Sequence, residues 1–364
     1  MGLLAAVIYL IIIYLFMPIP FAHTFSYPSI EQQHPTSLKS EPFPHIEFNQ
    51  FLSGLLSIQA MTLLGFADDV FDIRWRHKVL LPLIAAIPLL MVYYISMGAT
   101  YVAIPYPIHF LLGNSMDLGI IYYLYMAMVP IFCTNAINIL AGINGVEVGQ
   151  TIILCLSLIL FNITQLNDPF PAIVAKNLFS LYMLFPLLFV SIALYQYNSY
   201  PAKVFVGDTY CYFSGMVFAV VGILGHFSKT LLLFFVPQIA NFILSLPQLF
   251  HILPCPRHRM PRYNESTNLL QNSHTILSDI PLKNHQIAII LILEKIRLIK
   301  VERDDKSKLH PYKSMTNLTL LNSLLVNLGP LREDQLTKSV MLLQVGWSII
   351  TFMIRYQLAK LFYN

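Results

Sequence analysis

Charge is scarce in this 364-residue chain: Asp, Glu, Lys and Arg together make up 11% of it. That shortage, with a mean hydropathy of +0.64, excludes a soluble globular domain and a disordered chain alike. It also leaves no basic stripe for a nucleic acid, so no nucleic-acid partner is expected. Cysteine is equally sparse. Cys133, Cys155, Cys211 and Cys255 show no paired spacing, which excludes a disulfide framework and a zinc site and leaves them as core residues. The amino-terminal apolar run has neither a basic flank nor an Ala-x-Ala site and so does not read as a signal peptide. Gly2 is followed by Ala6 where a myristoylation signal needs Ser or Thr. No internal repeat or low-complexity tract is present.

Long apolar runs are what the chain has. Nine of them, 3–21, 51–67, 79–97, 117–138, 149–165, 178–196, 209–226, 230–253 and 341–363, are long enough to span a bilayer. In lipid they must be helices, because only a helix satisfies its own backbone hydrogen bonds there. The expected fold is therefore an all-α polytopic membrane protein of about nine transmembrane helices. Alternating the crossings puts 17 of the 22 Lys and Arg on one side, with the segments 68–78, 139–148, 197–208 and 254–340. The bias persists near the helix ends, in Arg74, Arg76, Lys78, Arg257, Arg259 and Lys338, so this side is assigned to the cytosol. The loop 22–50, rich in Pro, Ser and Gln, reads as irregular and lumenal.

The expected organisation is a transmembrane bundle with cytosolic loops (1–253), a small cytosolic α/β insertion (254–340) and a final helix (341–364). Within the insertion, Ile287–Leu293 is too short to span and is expected to be a buried strand. Leu318, Leu321, Leu325 and Leu328, behind Thr316 and ahead of Gly329-Pro330, predict a helix. The sequon at Asn162 falls at the end of a spanning helix, where access is poor.

Four polar clusters share the cytosolic side. Asp68, Asp69 and Asp72 stand with Lys78, and adjacent carboxylates call for a cation or donor nearby. Asn135 and Asn138 share one helix face, as either an interhelical clamp or substrate-facing amides. Gly142 and Gly145 permit a turn that presents Asn144. Asp208, after Val204-Phe205-Val206-Gly207, is either a helix N-cap or a Mg²⁺ ligand. Pro254-Cys-Pro-Arg257-His258-Arg259 holds cations on a stiff backbone, suited to anionic lipid or to a pyrophosphate. Together these suit phosphoryl transfer between a soluble nucleotide and a lipid-bound acceptor. The rival is a transporter, whose polar groups belong nearer the bilayer midplane in two similar halves.

The segments Gly65-Phe-Ala-Asp-Asp, Arg74-Trp-Arg-His-Lys78, Thr134-Asn-Ala-Ile-Asn-Ile-Leu-Ala-Gly-Ile-Asn-Gly145, Val204-Phe-Val-Gly-Asp-Thr209, Gly222-Ile-Leu-Gly-His-Phe-Ser-Lys229 and Pro254-Cys-Pro-Arg-His-Arg259 resemble the polyprenyl-phosphate N-acetylhexosamine-1-phosphate transferases. The likeness runs from about residue 50 to 262 and includes the last helix. It implies transfer of N-acetylglucosamine-1-phosphate from UDP-N-acetylglucosamine to dolichyl phosphate in the endoplasmic reticulum membrane, and a homodimer. By the same resemblance Asp208 and Asn138 ligate Mg²⁺, Lys78 holds the acceptor phosphate and Arg257 grips the donor pyrophosphate. His258, Arg259 and Asn144 hold the sugar, and Phe205 stacks on the uracil. Asp68 and Asp69 match the family's paired aspartates. Because a phosphomonoester is already mostly a dianion at pH 7, direct in-line attack is the expected mechanism, with Asp69 weightier than Asp68 and no phospho-aspartate. The family usually carries one more helix at its amino terminus, with a segment contributing to the uridine pocket. An impaired form that folds or dimerises is therefore the alternative to an active enzyme.

Overall fold

The computed structural model describes all residues except 22–42, 72, 97, 99, 105, 107, 108, 110–112, 279, 305–310 and 359–364. Most of the 22–50 loop, expected to be lumenal, and Asp72 therefore lie outside the described residues. The rest is a helical bundle. Its membrane-length helices are α1 (Gly2–Phe16), α2 (His45–Phe71), α5 (Ile120–Ile139), α6 (Val146–Thr164), α7 (Pro171–Asn198), α8 (Gly207–Leu224) and α13 (Glu333–Met353). Between α2 and α5 come the single turn α3 (Trp75–Lys78) and the 16-residue α4 (Leu81–Ser96). The eighth apolar run is not one straight span. It breaks into α9 (Ser228–Phe234) and α10 (Val236–Leu249), bent by 70° where Pro237 opens the second piece. Among the described residues, each of the nine apolar runs thus contains a helix or a broken pair.

The centre of the bundle is α8. It is buried on all sides, with Tyr210, Tyr212, Phe213, Met216 and Phe218 fully enclosed, as expected of a helix apolar around its whole circumference. Small residues let its neighbours approach. A methyl group on Gly65 of α2 would stand 2.8 Å from the Thr209 Cα, and one on Gly215 of α8 would collide with the backbone at Thr134 of α5. Without a hydrophobic drive between helices in lipid, such close contact supplies the packing energy. Cys133, Cys155 and Cys211 are buried and free, and Asn162 is enclosed with its amide donated to the Leu158 carbonyl, out of reach of glycosylation.

After α10 the chain leaves the bundle for a small mixed unit. Hairpin β3 (Arg262–Asn264) and β4 (Leu269–Gln271) is followed by the antiparallel sheet of β5 (His274–Ile276), β7 (Tyr312–Thr316) and β6 (Val301–Arg303), in that spatial order. The turn between α4 and α5 carries a further hairpin, β1 (Tyr101–Ala103) and β2 (Ser115–Asp117).

The expected strand at Ile287–Leu293 is instead the middle of helix α11 (Asn284–Lys295). Gln286 accepts the Lys283 N–H at 2.7 Å to open that helix, and its ends, His285-Gln286 and Glu294-Lys295, favour helix over a two-residue alternation. The predicted leucine helix is present as α12 (Leu320–Leu328), but Thr319 rather than Thr316 caps it, accepting the Asn322 N–H. Two apolar clusters tie the unit to the bundle. One joins Leu277, Ile290 and Met315 to Leu244 of α10, and the other joins Leu270, Leu321 and Leu325 to Leu140 and Ile143.

Candidate active site

The end of α2, the turn α3 and the start of α8 bring three charges together. Lys78 Nζ lies 3.0 Å from Asp68 Oδ2 and 2.9 Å from Asp208 Oδ2. Asp68 is buried; its second oxygen accepts the Ile73 N–H at 3.0 Å, and Tyr212 donates its hydroxyl to Oδ2 at 3.1 Å. The Asn138 side chain lies beside Tyr212. Asn138 of α5 therefore joins the same cluster through a tyrosine of α8. Burial draws the Lys78 ammonium down, but hydrogen bonds and charge from Asp208 and Asp68 outweigh it and hold its pKa above the ordinary lysine value.

Asp69 does a different job. Its Oδ1 accepts the Asp208 N–H at 2.7 Å and its Oδ2 accepts the Thr209 N–H at 3.1 Å and the Thr209 hydroxyl. These are orphan donors of the α8 N-terminus, so Asp69 caps a helix from across the bundle. Of the two roles open to Asp208, the N-cap falls away: Asp208 lies inside the first turn and points its carboxylate at Lys78. The carboxylate of Asp69 occupies the space where a Cβ of residue 207 would lie, 2.5 Å away, and φ there is +73°. Both features require glycine at 207.

Beside this cluster opens a cleft of about 360 Å³, within the range of small-ligand pockets, lined by Gly142, Asn144, Glu147, Lys203, Phe205 and Val206 among others. Phe205 is 80% exposed and offers an open ring face. Two carboxylates fix the opposite wall. Glu147 accepts the Gly142 N–H at 2.8 Å, and Glu333 of α13 accepts the Asn144 N–H at 2.6 Å while the Thr337 hydroxyl donates to the Asn144 carbonyl at 2.9 Å. Gly142 packs against Met260, the residue that follows the Arg257–Arg259 segment. Arg257 and His258 are exposed. Arg259 is half-buried, its Nη1 enclosed without a hydrogen-bond partner, and burial lowers its pKa. Ser273 and Asn322 both donate to its carbonyl. A guanidinium enclosed with a spare donor suits an anionic or hydroxyl-rich ligand.

The structure thus links Asp68, Asp69, Lys78 and Asp208 in one network with Asn138 beside its Tyr212, and sets Asn144 and Phe205 at the adjoining cleft. Asn135 is turned away, donating its amide to the Ile131 carbonyl of its own helix at 2.8 Å. Glu147, Thr209, Tyr212, Glu333 and Thr337 escaped sequence reasoning. Glu147 carried one usable signal, an acid in the first turn of an apolar helix; Glu333 is 189 positions from its partner and carried none. Among the described residues no group of three or more His, Cys, Asp or Glu is placed to hold a metal. One carboxylate and one amide oxygen, here Asp208 and Asn138, nonetheless suit a Mg²⁺ completed by substrate phosphates and water.

Residues 51–226 match the pattern of Glycosyl transferase family 4. The whole chain is 47% identical over 382 aligned positions to the UDP-N-acetylglucosamine–dolichyl-phosphate N-acetylglucosaminephosphotransferase of Schizosaccharomyces pombe, covering 83% of it. It is 44% identical to the protein of that name in Saccharomyces cerevisiae, covering 82%. With the Dictyostelium discoideum protein of the same name it shares 41% identity over 98% of this chain and 76% of that one. A multi-pass helical membrane protein with this likeness along its length belongs to the UDP-N-acetylglucosamine–dolichyl-phosphate N-acetylglucosaminephosphotransferase family of glycosyl phosphotransferases.

Proposed function

We propose that the chain transfers N-acetylglucosamine-1-phosphate from UDP-N-acetylglucosamine to dolichyl phosphate, leaving UMP, on the cytosolic face of the endoplasmic reticulum membrane. Support comes from the names of its full-length relatives and, in the fold, from one observation above all: Lys78 held between Asp68 and Asp208 beside the cleft. In this reading the uracil stacks on Phe205 against the Gly142–Asn144 wall. Arg257 takes the donor pyrophosphate, while His258 and Arg259 meet the sugar, the spare Nη1 donor of Arg259 supplying a partner. Asp208 and Asn138 would hold Mg²⁺, which neutralises pyrophosphate charge when bound. Lys78 releases Asp208 and pairs with the incoming lipid phosphate, keeping its proton throughout. The dianionic lipid phosphate attacks the β-phosphorus in line, forming one P–O bond as the bond to the UMP oxygen breaks.

Asp69 is fully engaged in capping α8. That engagement favours an organising role over a covalent or base role. The deciding experiment incubates membranes carrying the chain with radiolabelled UDP-N-acetylglucosamine and dolichyl phosphate. Label recovered in lipid, with UMP released in equal amount, is the expected result. Hydrolysis without lipid label, or no turnover by a correctly inserted chain, would overturn the proposal in favour of an impaired form.

A further inference from the structure

Helix α11 has no part in this chemistry, yet it is apolar around most of its circumference. Ile290 is fully buried, and Ile287, Ile289 and Leu293 pack half-buried on a core that includes Leu244 and Leu253. On the other side Leu291 and Ile292 are 45% and 59% exposed, and Ile296, just past the helix end, is 56% exposed. A helix apolar on two sides needs apolar surroundings on both. The same outward patch continues at the end of α10 with exposed Phe250 and Ile252. Gln286 of α11 donates its amide to the Ile252 carbonyl, holding the two segments together.

Depth and charge identify what covers this face. Leu244 lies inside α10, about 8 Å before its last residue at 1.5 Å per residue. The core beneath α11 therefore begins within a spanning segment, at headgroup level. Cationic or titratable side chains surround α11: Lys283, His285, Lys295, Arg297 and Lys300. Glu294, the acidic residue within α11, is paired with Arg303 at 2.6 Å. Two copies of such a face would set like charges against each other, whereas an anionic leaflet complements them.

We infer that α11 is a membrane-docking helix: its Leu291–Ile292 side enters the acyl boundary of the leaflet that α10 leaves, and its flanking lysines and arginines take anionic lipid phosphates. The contact would hold the whole mixed unit, and with it the arginine loop, at a set height above the bilayer. The test uses the full chain in phosphatidylcholine nanodiscs with and without phosphatidylserine. A bimane fluorophore is placed at Ile292→Cys, at Leu291→Cys, and at Lys313→Cys on the exposed side of β7, with the unsubstituted chain supplying the Cys255 background. Lipids brominated near the headgroup end of the acyl chain should extinguish fluorescence at 291 and 292 but not at 313, more strongly when phosphatidylserine is present. Equal emission at 292 in brominated and ordinary lipid would overturn the inference, as would equal quenching at 292 and 313. Ready Ile292→Cys disulfide pairing without lipid quenching would assign the face to a second copy. Quenching indifferent to phosphatidylserine would remove the role of the cations.

Discussion

Asp68 and Asp69 are adjacent in sequence and opposite in duty, and the reason is what each carboxylate touches. Asp69 meets the amide and hydroxyl donors of a helix N-terminus; Asp68 meets a lysine and a tyrosine. Asp69→Asn turns one acceptor into a donor facing Thr209. It should cost about 1–2 kcal/mol of stability, the worth of a cap in a helix-dipole field, and lower turnover with it. Thr209→Val should shift both in the same direction by less, read from thermal unfolding and lipid labelling. A normal melting curve with abolished activity at every pH would instead make Asp69 a base or nucleophile.

Removing Lys78 leaves Asp68 buried without its cation. Lys78→Met should therefore cost about 3 kcal/mol, and adding Asp68→Asn should recover part of it in a double-mutant cycle. The pH dependence follows from the same pair. The folded pKa of Lys78 lies above its ordinary 10.5, so its contribution is fully present below that value and is lost only as pH climbs through the raised one. Stability should stay level from neutral to about pH 10 as far as this group is concerned. Activity should rise through about pH 6 with the second ionisation of the lipid phosphate and show no lysine limb below pH 9.

At the scale of elements, α2 and α8 register the site. Gly65 sits one turn before Asp69 and against Thr209, so their closeness is what lets a carboxylate on one helix reach the amides of the other. Gly65→Ala would force the helices apart and should cost about 1–3 kcal/mol, with a larger loss of activity than of fold. Gly346→Ala in α13 is the matched control. Its added methyl meets nothing within 4 Å, and relief of helix-interior glycine should stabilise by about 0.5 kcal/mol. Thermal unfolding and transfer assays on both variants separate the effect of position from that of substitution.

Across the whole molecule, the last helix closes on the Gly142–Asn144 wall of the cleft. Gln238 of α10 donates to both Gln150 of α6 and Gln344 of α13, and Gln150 donates in turn to the Ile137 and Leu140 carbonyls at the end of α5. Above this buried amide relay, Glu333 holds the Asn144 amide. Loss of that hydrogen bond in Glu333→Ala should loosen the Gly142–Asn144 wall by about 1 kcal/mol. Measured as kinetics, this is roughly a fivefold higher KM for UDP-N-acetylglucosamine with kcat little changed, and Glu333→Gln, which keeps an acceptor, should restore most of it. A fall in kcat at constant KM would place Glu333 in the chemical step instead.

The apolar runs by themselves determined that the chain is a helical membrane protein and where its helices lie, because lipid leaves a backbone no other way to satisfy its hydrogen bonds. The rare polar residues at one end of those runs likewise marked the candidate site, since each is costly enough there to need a partner. Which partner was decided only by tertiary packing. Asp69 could not be told from Asp68, nor Asp208 from a helix cap, until α2 lay against α8. The seven apolar residues of α11 were ambiguous for a related reason. Strand and helix read alike over so short a span, and the cap at Gln286 and the core around Ile290 settled it. Glu333, Thr337 and Tyr212 act on groups more than a hundred positions away, where local sequence pattern carries no information about distance.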